Sequence, residues 1–292
     1  MEETHLYREL KDKKVQCRNC AHYCVVLPGK RGICGVKENI NGKLYALNYG
    51  KVVACNIDPI EKKPLYHFLP GTYSLSIAAV GCNFACLNCQ NWQISQDPKP
   101  QKPVAGKDMA PAEIVAMALE NKLPSISYTY TEPAIFSEYA LDVMKLAKKK
   151  GLKNVWVSNG FWSKELFDEV CPYLDAANID LKSCEDNFYK KICQGRLQPV
   201  LDTLMGLKKK KIWVEITTLV LPGLNDQGKT FQEIAGFIKK ELGPETPWHV
   251  SRFFRDVSWQ LKDLPDTSLA TIEIACQIGK EAGLKNVHAG NM

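Results

Sequence analysis

No run of this 292-residue chain approaches the roughly 18 apolar residues that a membrane-spanning helix needs. The first residues, Met1-Glu-Glu-Thr-His-Leu-Tyr-Arg8, lack the apolar core of a secretory signal peptide. Together these two absences give the expectation of a cytoplasmic protein with no membrane contact. There is no internal repeat, which argues against solenoids and propellers, and no low-complexity tract. The net charge of +6 comes largely from lysine, including the runs Lys148-Lys149-Lys150 and Lys208-Lys209-Lys210-Lys211. Neither run has interleaved aromatic residues to stack bases, which argues against a nucleic-acid partner. Both stand where an apparent helix gives way to a strand, and there cations complement the negative helix end.

What is present describes an ordinary globular protein able to bury a sizeable core, with 45% hydrophobic and 24% charged residues. The chain also carries 12 cysteines. They cluster at short spacings, which suits metal binding in a reducing compartment better than the disulfide framework of a small secreted protein. Cys82, Cys86 and Cys89 form C-x3-C-x2-C directly after the apolar run Leu75–Val80. Three thiolates are one fewer than a closed tetrahedral site or a fully ligated cubane uses, so one coordination position stays open. The same spacings would also put three cysteines on one helix face. Gly81, Asn83 and Asn88 interrupt the run with turn-forming residues, and so favour a loop that holds a cluster.

A second group, Cys17, Cys20, Cys24 and Cys34, reads C-x2-C-x3-C-x9-C inside residues 1–73, a segment of short glycine-punctuated pieces with few aliphatic residues. Such a module buries too little apolar surface to order itself, and a metal supplies folding energy. The second centre is a [4Fe-4S] cluster or zinc: C-x2-C-x3-C suits a cubane, whereas only the first pair fits a zinc hook. Cys55, Cys171, Cys184, Cys193 and Cys276 show no ligand spacing and read as structural or free thiols.

From residue 74 to 292 the pattern alternates. Strand-like runs at 74–80, 125–130, 154–158, 176–181, 212–219 and 247–253 are separated by helical patterns at about 111–122, 133–150, 163–170, 185–208, 228–242 and 267–282. A seventh short strand is expected at 286–289. The expectation is an α/β fold, a partial (β/α)6 barrel built on a parallel sheet, preceded by the cysteine-rich module.

Chemistry in such barrels sits at the carboxyl ends of the strands. The second strand closes on Thr131 and Glu132 before Pro133, where Glu132 could also be a plain first-turn carboxylate. The third closes on the polar turn Ser158-Asn159. On the fourth, Asp180 and Lys182 share one side and either bind a ligand or pair with each other. Glu215 and Thr217 share a face of the fifth. The sixth carries His249, which as a lone histidine is more often a core residue, and Arg252, able to clamp a carboxylate or to form a salt bridge.

The cysteine loop, with Cys89-Gln-Asn-Trp-Gln-Ile-Ser95 and Asp58-Pro-Ile-Glu-Lys-Lys-Pro-Leu-Tyr-His-Phe68, resembles the radical S-adenosylmethionine (SAM) superfamily. Within it the chain is similar to the AmmeMemoRadiSam-system radical SAM enzymes, close relatives of the pyruvate formate-lyase activating enzymes. Many members carry an aromatic residue where this chain has Asn88, and similar enzymes run on past Gly290-Asn291-Met292 into a cysteine-bearing tail.

The resemblance implies that Cys82, Cys86 and Cys89 hold a [4Fe-4S] cluster whose fourth iron takes the amino and carboxylate groups of SAM. It also implies that Thr131 and Glu132 hold the methionine end, that Asp180 and Lys182 contact SAM, and that His249 lies near the ribose. An external one-electron donor of flavodoxin or ferredoxin type then drives cleavage of SAM to a 5′-deoxyadenosyl radical, which abstracts hydrogen from a substrate. No side chain need act as general base for that cleavage, so no residue is assigned a catalytic proton transfer. Three readings stay open at this stage: an anaerobic oxidoreductase-type enzyme working with protein partners of the AmmeMemoRadiSam system, an activase that installs a glycyl radical in a partner enzyme, and a non-enzymatic iron–sulfur electron carrier.

Overall fold

A computed structural model describes residues 1–99 and 101–291; Met292 lies outside the described residues. The principal sheet has nine strands. Seven run parallel: β1 (Tyr73–Ala79), β2 (Ser125–Tyr128), β3 (Lys153–Ser158), β4 (Ala176–Asp180), β5 (Trp213–Val220), β6 (Trp248–Arg252) and β7 (Val287–Gly290). Six helices alternate with them: α1 (Pro111–Glu120), α2 (Ser137–Lys149), α3 (Lys164–Val170), α4 (Gln198–Lys209), α5 (Gly228–Phe237) and α6 (Leu269–Glu281). The strand order is sequential from β7 back to β1, as short right-handed crossovers require. The inner parallel strands are buried on both faces, with every residue of β1 after Tyr73 inside, which is why they read as continuous apolar runs rather than alternations. The result is the expected α/β architecture.

Local chemistry sets the helix ends. Ser163 caps α3 by accepting from Leu166 N at 3.1 Å, and Ser268 caps α6 through Thr271 N at 3.1 Å. Lys148 and Lys149 occupy the last turn of α2, and Lys208 and Lys209 that of α4, all exposed. These are the solvated helix termini that the sequence pattern suggests.

Two features differ from the sequence pattern. The helical stretch expected over 185–208 is broken: a short helix at Asp186–Phe188 passes into a π turn at Tyr189–Cys193, and Gln194 reverses the chain at φ 58° before α4 begins. The break turns two carbonyls outward, and they accept from the cysteine loop, Ala85 N to Cys193 O at 3.0 Å and Leu87 N to Ile192 O at 2.9 Å. A helix continued through this point would spend those carbonyls on itself.

The architectural boundary also shifts from residue 73 to about residue 50. Two three-stranded sheets occupy residues 2–46, but the strand Lys51–Pro59 runs antiparallel along β1 as part of the main sheet. The connection from Ile60 to Thr72 then turns under the barrel. Its floor position is fixed by Asn178 Nδ2 donating to Pro64 O at 2.8 Å, and by Tyr66 N and His67 N donating to the Glu215 carboxylate at 3.0 and 2.9 Å.

Gly195 lies where the chain after the π turn packs closely on the cysteine loop. A Cβ added there would sit 2.2 Å from Phe84 Cε1, and the Phe84 ring is buried against Phe161 and Tyr189. Gly195→Ala is therefore expected to destabilise the protein by about 1–3 kcal/mol, the usual cost of overpacking a filled core. Chemical denaturation measures this, and an unchanged midpoint would show that Phe84 has room to move.

Candidate cluster and cofactor site

A cavity of about 570 Å³ opens at the carboxyl ends of the parallel strands. Cys82, Cys86 and Cys89 all line it, together with Thr131, Glu132, Ser158, Asn159, Asp180 and Lys182. Residues from four separate segments are thus brought to one cavity. His249 is the exception among the residues singled out on the barrel. It sits early in β6, 1% exposed, with Nε2 facing Glu215 at 2.7 Å and its ring against Tyr66 and His288. His249 does not line the cavity, and β6 presents Ser251 and Arg252 to it.

The loop geometry follows from its turn residues. Gly81 adopts φ 104°, a conformation that a side chain would strain, and its space is closed as well, with a Cβ placed 3.0 Å from Cys34 O. Asn91 initiates the short helix Trp92–Ser95, and its Nδ2 donates to Tyr130 O at 2.8 Å. This contact holds Tyr130 at φ 63°, which is uncommon for a bulky side chain and marks a constrained position. From there the Tyr130 hydroxyl donates to Asp58, which is also paired with Lys63 at 2.7 Å. Asp58, Lys63 and Tyr130 line the cavity opposite the cysteines.

Glu132 is buried, and burial raises its pKa to about 7 despite three hydrogen bonds that favour the charged form. Those donors are Ala134 N at 3.1 Å, Ser158 Oγ at 2.7 Å and Asn159 N at 2.8 Å. Capping and cavity lining are therefore both true of this residue. A carboxylate has about four lone-pair sites, so Glu132 keeps one acceptor position for a ligand. Thr131 spends its hydroxyl on Ala79 O at 2.7 Å. Asn159 continues the network, its Nδ2 donating to Asn83 Oδ1 at 2.7 Å. Asp180 and Lys182 pair with each other at 2.7 Å. Burial opposes the Lys182 charge, but Asp180 and the nearby thiols Cys86 and Cys193 outweigh it and hold its pKa well above the ordinary value.

Cys193 lies behind the site, next to Cys86, and has no motif in the sequence to mark it. The neighbouring Cys193 thiol is the main cause that lowers the Cys86 pKa, while Cys82 and Cys89 are raised by burial. A lone cysteine outside any motif gives no sequence signal; only the π turn brings it here. Arg252 has no carboxylate partner among the described residues; its Nε donates to Thr267 O at 2.9 Å and its guanidinium lies 4.9 Å from the Phe254 ring centre.

The sequence pattern of the Radical SAM superfamily matches residues 76–238, more than half of the chain and all of the segments that bring the three cysteines to the cavity. The chain belongs to the radical SAM superfamily. This radical SAM protein is 47% identical over its whole length to the uncharacterized protein MJ0808 of Methanocaldococcus jannaschii, covering 86% of that protein. It is 22% identical to the pyruvate formate-lyase-activating enzyme of Clostridium pasteurianum, over 63% of this chain and 80% of the relative. A radical SAM methyltransferase from Sphaerobacter thermophilus shares the fold, with a TM-score of 0.57 at 14% identity over 77% of this chain and 68% of the other.

Membership implies a [4Fe-4S] cluster and SAM, and the radical SAM site fits both. Among the described residues no three histidine, cysteine or acidic side chains converge as the ligands of a single ion do. A cubane takes each thiolate on a different iron, so its ligands stand wider apart. Asn88, the departure from the aromatic pattern, is buried on the cavity wall with an Oδ1 that has no hydrogen-bond partner. An unpaired acceptor there is able to take an N–H donor of a bound ligand. No helix among the described residues is long and apolar enough to cross a membrane.

Proposed function

We propose that the protein is a radical SAM enzyme of the AmmeMemoRadiSam type, working in the cytoplasm with an external one-electron donor and an organic substrate drawn from that system. The observation that carries this reading is the convergence of Cys82, Cys86 and Cys89 with Glu132 and the Asp180–Lys182 pair on one cavity. Bound there, the cluster and SAM supply a 5′-deoxyadenosyl radical that abstracts hydrogen from an unactivated carbon. The chain's own residues hold and shield the reactants. Cys82, Cys86 and Cys89 would hold three irons and leave the fourth free. Glu132, fixed by Ser158 and Asn159, offers its spare lone pair to the SAM ammonium. Lys182, balanced by Asp180, presents a cation near the SAM carboxylate, while Arg252 is free to hold an anionic group of the substrate. The floor segment around Pro64 keeps water from entering behind the reacting carbon. In this reading Cys17, Cys20, Cys24 and Cys34 hold a second metal centre, [4Fe-4S] or zinc.

A second reading, activation of a partner enzyme by hydrogen abstraction from its backbone, is supported by the relatives named as activating enzymes, including a (2S)-3-sulfopropanediol dehydratase activating enzyme of Klebsiella oxytoca that is 25% identical over 38% of this chain. Anaerobic incubation with SAM and dithionite, followed by tracing of the abstracted hydrogen in a lysate, separates a small product from a labelled protein. Absence of 5′-deoxyadenosine would end both readings.

Glu132→Ala is expected to weaken SAM binding about ten- to a hundredfold, because a charge-assisted hydrogen bond contributes about 1.5–3 kcal/mol. The cluster stays, since the carboxylate contacts no iron. The raised pKa of about 7 also sets a pH dependence. Below that value the group is protonated and neutral, so SAM affinity of the wild type falls about tenfold per unit as pH drops from 7, and the Ala variant shows no such slope. Calorimetric or equilibrium-dialysis titrations at pH 6 and 8 check this; equal dissociation constants for variant and wild type would reduce Glu132 to a cap.

A further inference from the structure

We propose that Cys17, Cys20, Cys24 and Cys34 hold a closed [4Fe-4S] cluster that receives electrons from an acidic one-electron donor protein and passes them to the neighbouring SAM cluster. The proposal rests on the assignment of both centres made above, and it adds the identity and role of the second.

The four thiols line one pocket whose other polar walls are Asn19, His22, Lys37 and Asn83. Zinc would draw its thiolates to about 2.3 Å around one point, yet among the described residues no three such ligands converge in that way. Four irons that take one thiolate each tolerate the wider spread, and with four protein ligands no iron is left for a substrate. Such a centre moves electrons and binds nothing else.

Its position is what gives it a role. Cys82 lines the SAM cavity and Asn83, the next residue, lines the cysteine pocket, so consecutive Cα atoms about 3.8 Å apart separate the two walls. The contact is tight: His22, from the pocket wall, lies with Nε2 2.8 Å from Asn83 O, and Cys34 O closes on Gly81 so that even a Cβ would stand only 3.0 Å away. Lys99 donates to Phe84 O at 2.6 Å, and its charge is felt by Cys34 as well as by Cys82, Cys86 and Cys89. A cation placed between two thiolate-ligated centres favours an added electron on either one.

The outward face suits a charged partner. Val25 and Ile33, the neighbours of Cys24 and Cys34, and Leu27 are exposed at 55%, 52% and 47%, and Lys30 is exposed beside them. Residues 1–50 contain nine lysines and arginines against five carboxylates, a net +4 of the chain's +6. An apolar patch in a basic field fits an acidic flavodoxin- or ferredoxin-class protein. In each transfer the donor's reduced flavin or cluster loses one electron, the second cluster gains and then loses it, and the SAM cluster is reduced by one charge unit. No atom or proton moves.

The full-length protein, reconstituted anaerobically with iron and sulfide, tests this. Metal analysis is expected to give about eight irons and no zinc per chain; four irons with one zinc would overturn the proposal. Cys24→Ser should lower the ratio of flavodoxin-driven to dithionite-driven SAM cleavage at least tenfold relative to wild type. An unchanged ratio would overturn the relay. Should Cys24→Ser lose both clusters, electron paramagnetic resonance of the reduced wild type decides: two magnetically interacting spins are expected, and two independent signals would defeat it. A wild type that fails to cleave SAM even with dithionite would instead refute the underlying radical SAM reading.

Discussion

Cys82→Ala, Cys86→Ala and Cys89→Ala should each give a folded protein that releases no measurable 5′-deoxyadenosine from SAM under dithionite. Each change removes one of only three protein ligands, and the ligands act as a unit, so the loss is not expected to be partial. A fall of about a thousandfold or more is the expected size, which equals roughly 4 kcal/mol or more of lost barrier lowering. The metal content of the proposed N-terminal centre should be unchanged, because its cysteines belong to another pocket. Iron content and product formation measured on the same preparations make the check, and undiminished product from any one variant would remove that cysteine from the site. Cys193→Ala is the informative control. Its thiol touches Cys86 but does not line the cavity, so it should keep the cluster.

Lys37→Met should be the most destabilising change in the N-terminal module. Lys37 is 1% exposed and pairs with Glu138 at the start of α2. Thr4 also donates to that carboxylate, and Asn19 Nδ2 donates to both Glu138 Oε1 at 3.0 Å and Ser137 Oγ at 2.8 Å. Three residues of the module therefore meet one buried acid of the barrel. Removing the lysine leaves a carboxylate without its counter-ion, which costs about 3–5 kcal/mol. Replacing both partners, Lys37→Met with Glu138→Leu, should recover most of that loss, since the desolvation of two charges is then avoided.

The sign with pH follows from the same pair. Burial raises the Glu138 pKa, but Lys37 and Thr4 outweigh it and the net shift is downward. A depressed carboxyl pKa contributes stability that is present above the unfolded value of about 4.3 and is lost as pH falls through the folded one. Denaturant titrations between pH 3 and 7 should show this loss in the wild type and not in the double variant. A single variant within 1 kcal/mol of wild type would show that water reaches Glu138.

Most of the barrel could be read from sequence because parallel strands buried on both faces leave unbroken apolar runs, and several are followed by a helix with a recognisable cap or lysine-rich end. The cysteine loop was legible for a different reason: three thiols at fixed spacing beside turn residues have few other uses. Other parts left no such trace. His249 looked like a barrel-mouth residue because strand position was inferred from sequence order alone, whereas its depth is set by Glu215, which also binds the floor segment. Cys193 required the π turn, whose residues Tyr189-Lys-Lys-Ile-Cys193 look like an ordinary helix. The strand Lys51–Pro59 was grouped with the module because its exposed and buried residues do not alternate cleanly. The strained Tyr130 and its link to Asp58 joined two motif segments, 58–68 and 89–95, that had been recognised separately.

The ties between module and barrel also set a clock on synthesis. Thr4 and Glu138 are 134 residues apart in the chain, and Ala21 O meets Arg196 across 175 residues. At roughly 5–20 residues per second on the ribosome, the first-made segment waits about 7–27 s for α2 and longer for Arg196. During that interval Cys17, Cys20, Cys24 and Cys34 belong to a segment whose main buried partners do not yet exist, since contacts of such separation form late. The thiols that end in the pocket beside the cysteine loop are therefore open to the cell's metal-delivery machinery first. The proposed second centre is the one the nascent chain can fill earliest.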